Sequence, residues 1–165
     1  MLSRLLILFS FCVFLLSCNK SSDDPGCTFT APTVVVPASE IASLQAWVNA
    51  NQAMAIYHPG GFYYQIITAG TGTVTPTVCS KVTVTYRGRL TNGFQFTSPA
   101  EETNPTTFTL GQLIAGWQLG IPLITKGGTI NLYLPPSLGY GANATSTIPA
   151  NSILLFTVNL GEVTN

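Results

Sequence analysis

The ten residues KVTVTYRGRL, Lys81 to Leu90, restrict the possible folds more than any other stretch. Val82, Val84 and Tyr86 alternate with Thr83, Thr85 and Arg87. Successive side chains of a strand point to opposite faces, so this pattern calls for a sheet with one dry face and one wet face. Asn92-Gly93 follows at once, a strong hairpin signal that sends the chain back through GFQFT as a returning strand. FYYQII, Phe108-Thr109-Leu110, TINLYL and ILLFTVNL read as further strands, the last with Leu154, Phe156, Val158 and Leu160 on one face. LIAGWQLGI reads as a short helix, since Leu113, Ile114, Trp117 and Ile121 fall at i, i+1, i+4 and i+8. Five or six strands and one short helix predict an α+β domain, an antiparallel sheet wrapped around the helix.

The chain of 165 residues suffices for one such core with short attachments. His58-Pro59-Gly60-Gly61 is a strong break and marks the expected start of the domain, 58–165. Before it lies an extension, residues 31–57, with one helix. TFTAPTVVVPA, with Pro32 and Pro37, reads as extended chain. Ser39 then reads as an N-cap with Glu40 in the first turn, and Ile41, Leu44 and Val48 form the apolar stripe of a helix ending near Gln52.

The first residues, MLSRLLILFSFCVFLLSC, read as a targeting signal. Arg4 precedes an apolar run from Leu5 to Leu16, too short to span a bilayer and suited to a signal-peptide core. LLSC resembles the lipobox of bacterial lipoproteins. That resemblance implies that residues 1–17 are removed and that Cys18 is lipidated, with 18–30 as a polar tether; an ordinary signal peptide with a chance cysteine is the alternative. Cys12 leaves with the signal, so Cys27 and Cys79 remain. Outside the cytoplasm two remaining cysteines commonly pair, the alternative being two free thiols. The expected location is the cell envelope, lipid-anchored to a bacterial membrane, the outer one expected, with no other membrane contact and the domain outside the cytoplasm.

Only 7% of residues are charged and the net charge is zero, so Thr, Asn, Ser and Gln must cover much of the surface. No basic patch suggests nucleic acid as a partner. One His and no clustered carboxylates give no basis for a metal site or a two-acid hydrolase. LYLPPSLGYGA poses a different question. A strand-like run stops on Pro135 and Pro136, and Tyr140 then sits between Gly139 and Gly141, on a loop where a core aromatic is not expected.

Four segments answer it: VTVTYRGRLTNGFQF, FTLGQLIAGW, GGTINLYLPPSLGYG and IPANSILLFTVNL. In this order, from about residue 61 onward, they resemble the FKBP-type peptidyl-prolyl isomerases. The resemblance implies an FKBP-like fold and an aromatic pocket. In it Tyr86 and Phe96 match the first strand pair, Leu113 and Ile114 the rim, Trp117 the floor, Tyr140 the loop before the last strand, and Ile148 and Phe156 the remaining wall. Tyr140 would then turn inward to meet substrate, and its hydroxyl, with the backbone N–H of Ile114, would hold substrate carbonyls. The implied activity is rotation about X–Pro bonds, with Tyr86, Phe96, Ile114, Trp117, Tyr140 and Phe156 catalytic, Thr97, Leu113 and Ile148 binding substrate, and no cofactor or metal. The implied partners are proline-containing unfolded or exported polypeptides.

Two positions depart from the family pattern. The family usually has Asp after the residue matched by Phe96, where this chain has Thr97, and Thr106 stands where some members carry a further pocket aromatic. Loss of the acid is expected to leave Tyr86 less firmly oriented and activity weakened. The same fold could then serve as a weakly catalytic or non-catalytic chaperone or peptide-binding module. A third reading is an interaction lipoprotein whose groove is filled by its own chain.

Overall fold

The computed structural model describes residues 26–51 and 53–165. The expected signal peptide, Cys18 and most of the tether lie outside those residues, as does Gln52, the expected end of the first helix. Among the described residues six strands form one antiparallel sheet: β1 (Ile56–His58), β2 (Phe62–Thr68), β3 (Lys81–Leu90), β4 (Thr106–Thr109), β5 (Thr129–Leu134) and β6 (Leu154–Thr164), in the spatial order β1-β2-β5-β6-β3-β4. β3 and β6 form the longest ladder, from Lys81 opposite Thr164 to Leu90 opposite Leu154, with a shift of register between Val82 and Val84.

The alternation read from the sequence decides which face is dry. Val82, Val84, Ile130, Leu132, Leu134, Leu154, Val158 and Leu160 are each at most 2% exposed and meet Trp117 and Ile121. Trp117 lies in the short helix α3 (Ala115–Gly120), and Ile121 opens the 3₁₀ turn after it. Burying such a side chain contributes about 1.5–3 kcal/mol, so this layer, a sheet wrapped around a short helix, supplies most of the core. The molecule is thus an α+β fold with an antiparallel sheet.

The extension packs on the opposite face. Its helix α1 (Ala38–Ala50) places Leu44 and Val48 against Tyr63, and Trp47 lies 5.9 Å from Tyr133 between ring centroids. Tyr63 and Tyr133 are register partners on β2 and β5, while the neighbouring Phe62 and Leu132 point into the main core. Both faces of β2 are therefore covered at this end, and FYY shows an unbroken aromatic run instead of alternation. Cys27 and Cys79 are joined in a disulfide, with Cα atoms 5.7 Å apart, inside the span such a bond allows. It closes a separation of 52 residues, worth about 4 kcal/mol in the chain-entropy account.

Several expectations are corrected. Ser39 is not the N-cap: the helix begins at Ala38, and the carbonyl of Pro37 accepts from Glu40 N at 3.0 Å and Ile41 N at 3.2 Å. The break at His58-Pro59-Gly60-Gly61 is a hairpin turn, because His58 on β1 pairs with Phe62 on β2 and the sheet runs across the expected boundary. GFQFT does not return as a strand; it makes one bridge, Arg89 to Gln95. Beyond it the Gly88 N–H is taken by the side-chain oxygen of Thr97 at 2.9 Å, and a second short helix that the sequence reading did not anticipate, α2 (Pro99–Thr103), follows. The next rung is thus only half backbone, Phe96 N donating to the Gly88 carbonyl at 3.1 Å while a side chain takes the other half, and Pro99 at the start of α2 takes the chain away from the sheet.

Candidate active site

A pocket of about 410 Å³ opens between the β3–β6 ladder, the start of α3 and the loop that joins β5 to β6. The structure brings all nine expected pocket residues to it: Tyr86, Phe96, Thr97, Leu113, Ile114, Trp117, Tyr140, Ile148 and Phe156. Thr106, by contrast, is exposed at the start of β4 and does not line it. Phe108, on the same strand, supplies an aromatic wall instead.

The floor is a set of interlocked rings. Trp117 is 4% exposed and meets Tyr86 at 5.0 Å and 89° and Phe156 at 5.3 Å and 84°, both edge to face. Phe96 meets Phe156 at 5.5 Å and 82°, and Phe108 meets Tyr86 at 6.3 Å and 64°. Each such pair contributes about 0.5–1.5 kcal/mol beyond burial and fixes the ring planes. Glycine is required at Gly88, because a Cβ there would strike the Phe96 ring. The indole N–H of Trp117 has no hydrogen-bond partner among the described residues, which fits a dry floor.

Leu113 and Ile114 enter from the turn between the 3₁₀ segment Leu110–Gln112 and α3. The Gln118 amide fixes that turn by donating to the carbonyls of Leu113 at 2.7 Å and Gly111 at 3.2 Å. Ile114 is the N-cap of α3, a position whose own N–H precedes the helical ladder, and that N–H makes no hydrogen bond among the described residues. It stands as a donor beside the pocket.

The far rim is the loop from Pro135 to Ile153. Pro135 and Pro136 are buried, and the carbonyl of Pro136 accepts from Gly139 N and Gly141 N, both at 2.9 Å. Gly141 adopts a φ of +58°, which glycine tolerates and bulkier residues resist. Tyr140 is carried over the pocket in this turn and remains 40% exposed. Ile148 is held by Thr145, whose side-chain oxygen accepts from Ile148 N at 3.0 Å. The loop is also tied to the extension: the Glu40 carboxylate on α1 accepts from Ser137 N at 2.9 Å and from the Ser137 hydroxyl at 2.7 Å.

One lining residue changes the reading of the site. The Tyr86 hydroxyl donates to Glu101 Oε1 at 2.7 Å, and Glu101 Oε2 accepts from Ser98 N at 2.6 Å. Tyr86 was expected to be poorly oriented for want of an acid at position 97; it has a carboxylate partner from α2. Burial first, then the hydrogen bond and charge of Glu101 and the proximity of Tyr140, push the Tyr86 phenol far above its ordinary value, so it stays protonated. Glu101 was legible in Ser98-Pro99-Ala100-Glu101, which has the spacing of a capping box with Pro at the first helical position. Phe108 stood in an expected strand. Thr145 and Thr147, the remaining lining residues, carried no signal in the sequence.

An open aromatic pocket with two uncommitted donors at its edge can hold a small apolar ring and the carbonyls beside it. Residues 72–161, more than half of the chain, match the family model described as FKBP-type peptidyl-prolyl cis-trans isomerase, and the chain belongs to that family. It is 44% identical over 105 residues to the FKBP-type peptidyl-prolyl cis-trans isomerase FkpA of Buchnera aphidicola subsp. Schizaphis graminum, covering 64% of this chain and 42% of that protein. It is 40% identical over 103 residues to FkpA of Escherichia coli strain K12 (62% and 38%) and 41% identical over 104 residues to the peptidyl-prolyl cis-trans isomerase Mip of Coxiella burnetii (62% and 45%). The chain thus spans less than half the length of each of these relatives. Among solved structures, FkpA from Escherichia coli superposes with a TM-score of 0.68 at 33% identity, covering 77% of this chain and 60% of that one. A peptidyl-prolyl cis-trans isomerase from Pseudomonas syringae pv. tomato superposes at 0.66 and 26% identity, covering 81% of this chain and all (100%) of that one.

Proposed function

We propose that this protein catalyses cis–trans isomerisation of X–Pro bonds in exported polypeptides. The observation that carries the proposal is the pocket whose Trp117 floor is wedged between Tyr86 and Phe156 with open donors at its edge. Rotation about a peptide bond faces a barrier of about 18–20 kcal/mol, and X–Pro is the bond with a useful cis population. The planar amide carries charge-separated resonance that water stabilises, and the twisted transition state has less of it. A dry aromatic pocket therefore disfavours the planar form relative to the twisted one. The apolar walls take the proline ring, while the Ile114 N–H and the Tyr140 hydroxyl hold flanking carbonyls. Rotation makes and breaks no covalent bond, so the mechanism calls for no nucleophile, cofactor or metal.

The competing reading, a weakly catalytic or non-catalytic chaperone or peptide-binding module on the same fold, rested on the missing acid at Thr97. The carboxylate of Glu101 on Tyr86 favours catalysis over it. The pocket also stands open to the described chain, against the reading of a self-filled groove. A protease-coupled isomerisation assay on an X–Pro peptide, with protein lacking residues 1–18, tests the proposal. A rate indistinguishable from the uncatalysed one, with retained peptide binding, would instead support the binding module.

The lipoprotein reading belongs to the same proposal: Cys18 is the acylated mature N-terminus, and the domain works outside the cytoplasm on a membrane anchor, the outer membrane in this reading. Two or more acyl chains anchor stably where one is marginal. Cys18→Ala should release the protein into the soluble fraction; unchanged membrane fractionation would point to an uncleaved anchor.

A further inference from the structure

We infer that Glu101 is the positioning residue that fixes Tyr86 against Trp117, so that the acid serving this pocket comes from α2 and not from the strand-end position occupied by Thr97. This rests on the isomerase reading of the pocket and specifies how its wall is oriented. Among the described residues the Tyr86 side chain makes one hydrogen bond, to Glu101 Oε1 at 2.7 Å, in the range of a charge-assisted O–H···O⁻ contact. The other oxygen of the same carboxylate is taken by Ser98 N at 2.6 Å, so the acceptor cannot rotate away without uncapping α2. The neighbouring Glu102 ties the outer side of the helix to the strand beneath it, accepting from the Gln95 amide at 2.6 Å and pairing with Arg87 at 3.5 Å. Helix α2 therefore works as a bracket bolted to β3, with one carboxylate aimed at the pocket and the other outward.

Two consequences follow for the chemistry. The hydroxyl proton of Tyr86 is committed to Glu101, so Tyr86 meets substrate with its ring face and adds no donor; donation falls to Tyr140 and the Ile114 N–H. The oxygen of Thr97 is occupied by Gly88 N at 2.9 Å, so Thr97 holds the backbone that carries the Phe96 ring. Adding a carboxylate at position 97 to the intact protein places it beside Glu101 and offers Tyr86 nothing it lacks.

The test compares the wild type with Glu101→Gln, Thr97→Asp, the double variant Thr97→Asp/Glu101→Gln, and Glu102→Gln. Gln can serve a capping box, so Glu101→Gln keeps the helix start and removes the charge. Its kcat/KM should fall about tenfold, the scale of one charge-assisted hydrogen bond. Thr97→Asp alone should lower kcat/KM, since it sets a second carboxylate beside Glu101 in the pocket wall, whereas in the Glu101→Gln background it should restore most of the loss, since Asp can accept from both Gly88 N and Tyr86. Glu102→Gln should stay within about twofold of wild type, because it loosens the bracket without touching Tyr86. The ionisation of Tyr86, read as the ultraviolet difference from a Tyr86→Phe variant, supplies a readout that needs no activity. It should occur at lower pH in Glu101→Gln than in wild type, because the carboxylate's hydrogen bond and charge no longer oppose it.

Unchanged kcat/KM and unchanged Tyr86 ionisation in Glu101→Gln would overturn the inference. So would a loss in Glu102→Gln equal to that in Glu101→Gln, which would assign the effect to the helix and not to the carboxylate. An inactive wild type would sink the isomerase reading instead, with the Tyr86 titration still deciding whether Glu101 holds the phenol.

Discussion

On the floor of the pocket Trp117 is 4% exposed and wedged edge to face between Tyr86 and Phe156, whereas on the rim Tyr140 is 40% exposed and stands on a loop of turns. The floor residues are core residues: Trp117 and Phe156 belong to the same buried cluster as Ile121, Val158 and Leu132. The rim residues are held by short backbone turns and by Glu40, a residue of the extension outside the family-matched segment. Folding and pocket shape therefore cannot be separated at the floor, and they can at the rim. The bracket formed by α2 lies between these extremes, exposed on its outer side and bonded to Tyr86 on its inner one.

The largest effect is expected where that overlap is greatest. Trp117→Ala should cost about 3–5 kcal/mol in a denaturant unfolding experiment and abolish measurable isomerisation, because it leaves a cavity and removes the ring partner of both Tyr86 and Phe156. A stable, inactive Trp117→Ala protein would break the comparison, showing that the floor too is separable from the core. Glu40→Ala comes next. It removes both acceptors of Ser137 and should cost about 1–2 kcal/mol, with a loss of order in the rim loop visible as faster amide exchange from Ser137 to Tyr140. Loss of stability without faster exchange in the loop would mean that α1 supports the sheet but not the rim.

The same division explains what the sequence could reveal. β3, β5 and β6 were legible because alternation records burial directly, and their side chains form the dry face. All nine pocket residues were legible through the ordered family segments. β1 was hidden because its three residues are an edge, with Ile56 and Tyr57 exposed, and show no periodicity. GFQFT misled because hairpin chemistry at Asn92-Gly93 is local, while its continuation as a strand depends on whether backbone makes both halves of the next rung, and here Thr97 takes one of them. Thr97 misled for a related reason: position-by-position matching sees a missing acid, and only the folded chain shows another acid reaching the same hydroxyl from Glu101. Ser39 failed as a cap because Pro37 already holds an extended backbone at the junction and its carbonyl starts the ladder.

Tyr140→Phe sharpens the comparison from the rim. The Tyr140 hydroxyl makes no hydrogen bond among the described residues, so its removal should change stability by less than about 0.5 kcal/mol. If that hydroxyl donates to a substrate carbonyl, kcat/KM should fall by about three- to tenfold, the scale of one hydrogen bond. Unchanged kcat/KM would restrict Tyr140 to a wall and leave the Ile114 N–H as the working donor.

The smallest effect lies outside both floor and rim and serves as a control. His58 sits on β1, stacks on Phe62 at 4.4 Å between ring centroids, and accepts from Gly60 N through Nδ1 at 3.0 Å. Burial lowers the pKa of its imidazole from the ordinary 6.5. A folded value below the unfolded one means that the protein binds fewer protons when folded, so this contribution to stability is complete above about pH 6.5 and is lost as pH falls through the lowered value. Protonation puts a proton on Nδ1, the nitrogen that accepts from Gly60 N, and so removes that hydrogen bond and loosens the turn. The imidazole is only half-buried and solvent screens its charge, so the loss should amount to a few tenths of a kcal/mol. Denaturation midpoints of the wild type and His58→Gln between pH 7.5 and 5 read it directly. The wild type should lose slightly more stability than the variant across that interval, while the two keep equal kcat/KM at pH 7.5, because the β1–β2 turn does not line the pocket. Parallel pH profiles would remove His58 as the source of the acid sensitivity, and unequal kcat/KM would show that the far edge of the sheet reaches the pocket after all.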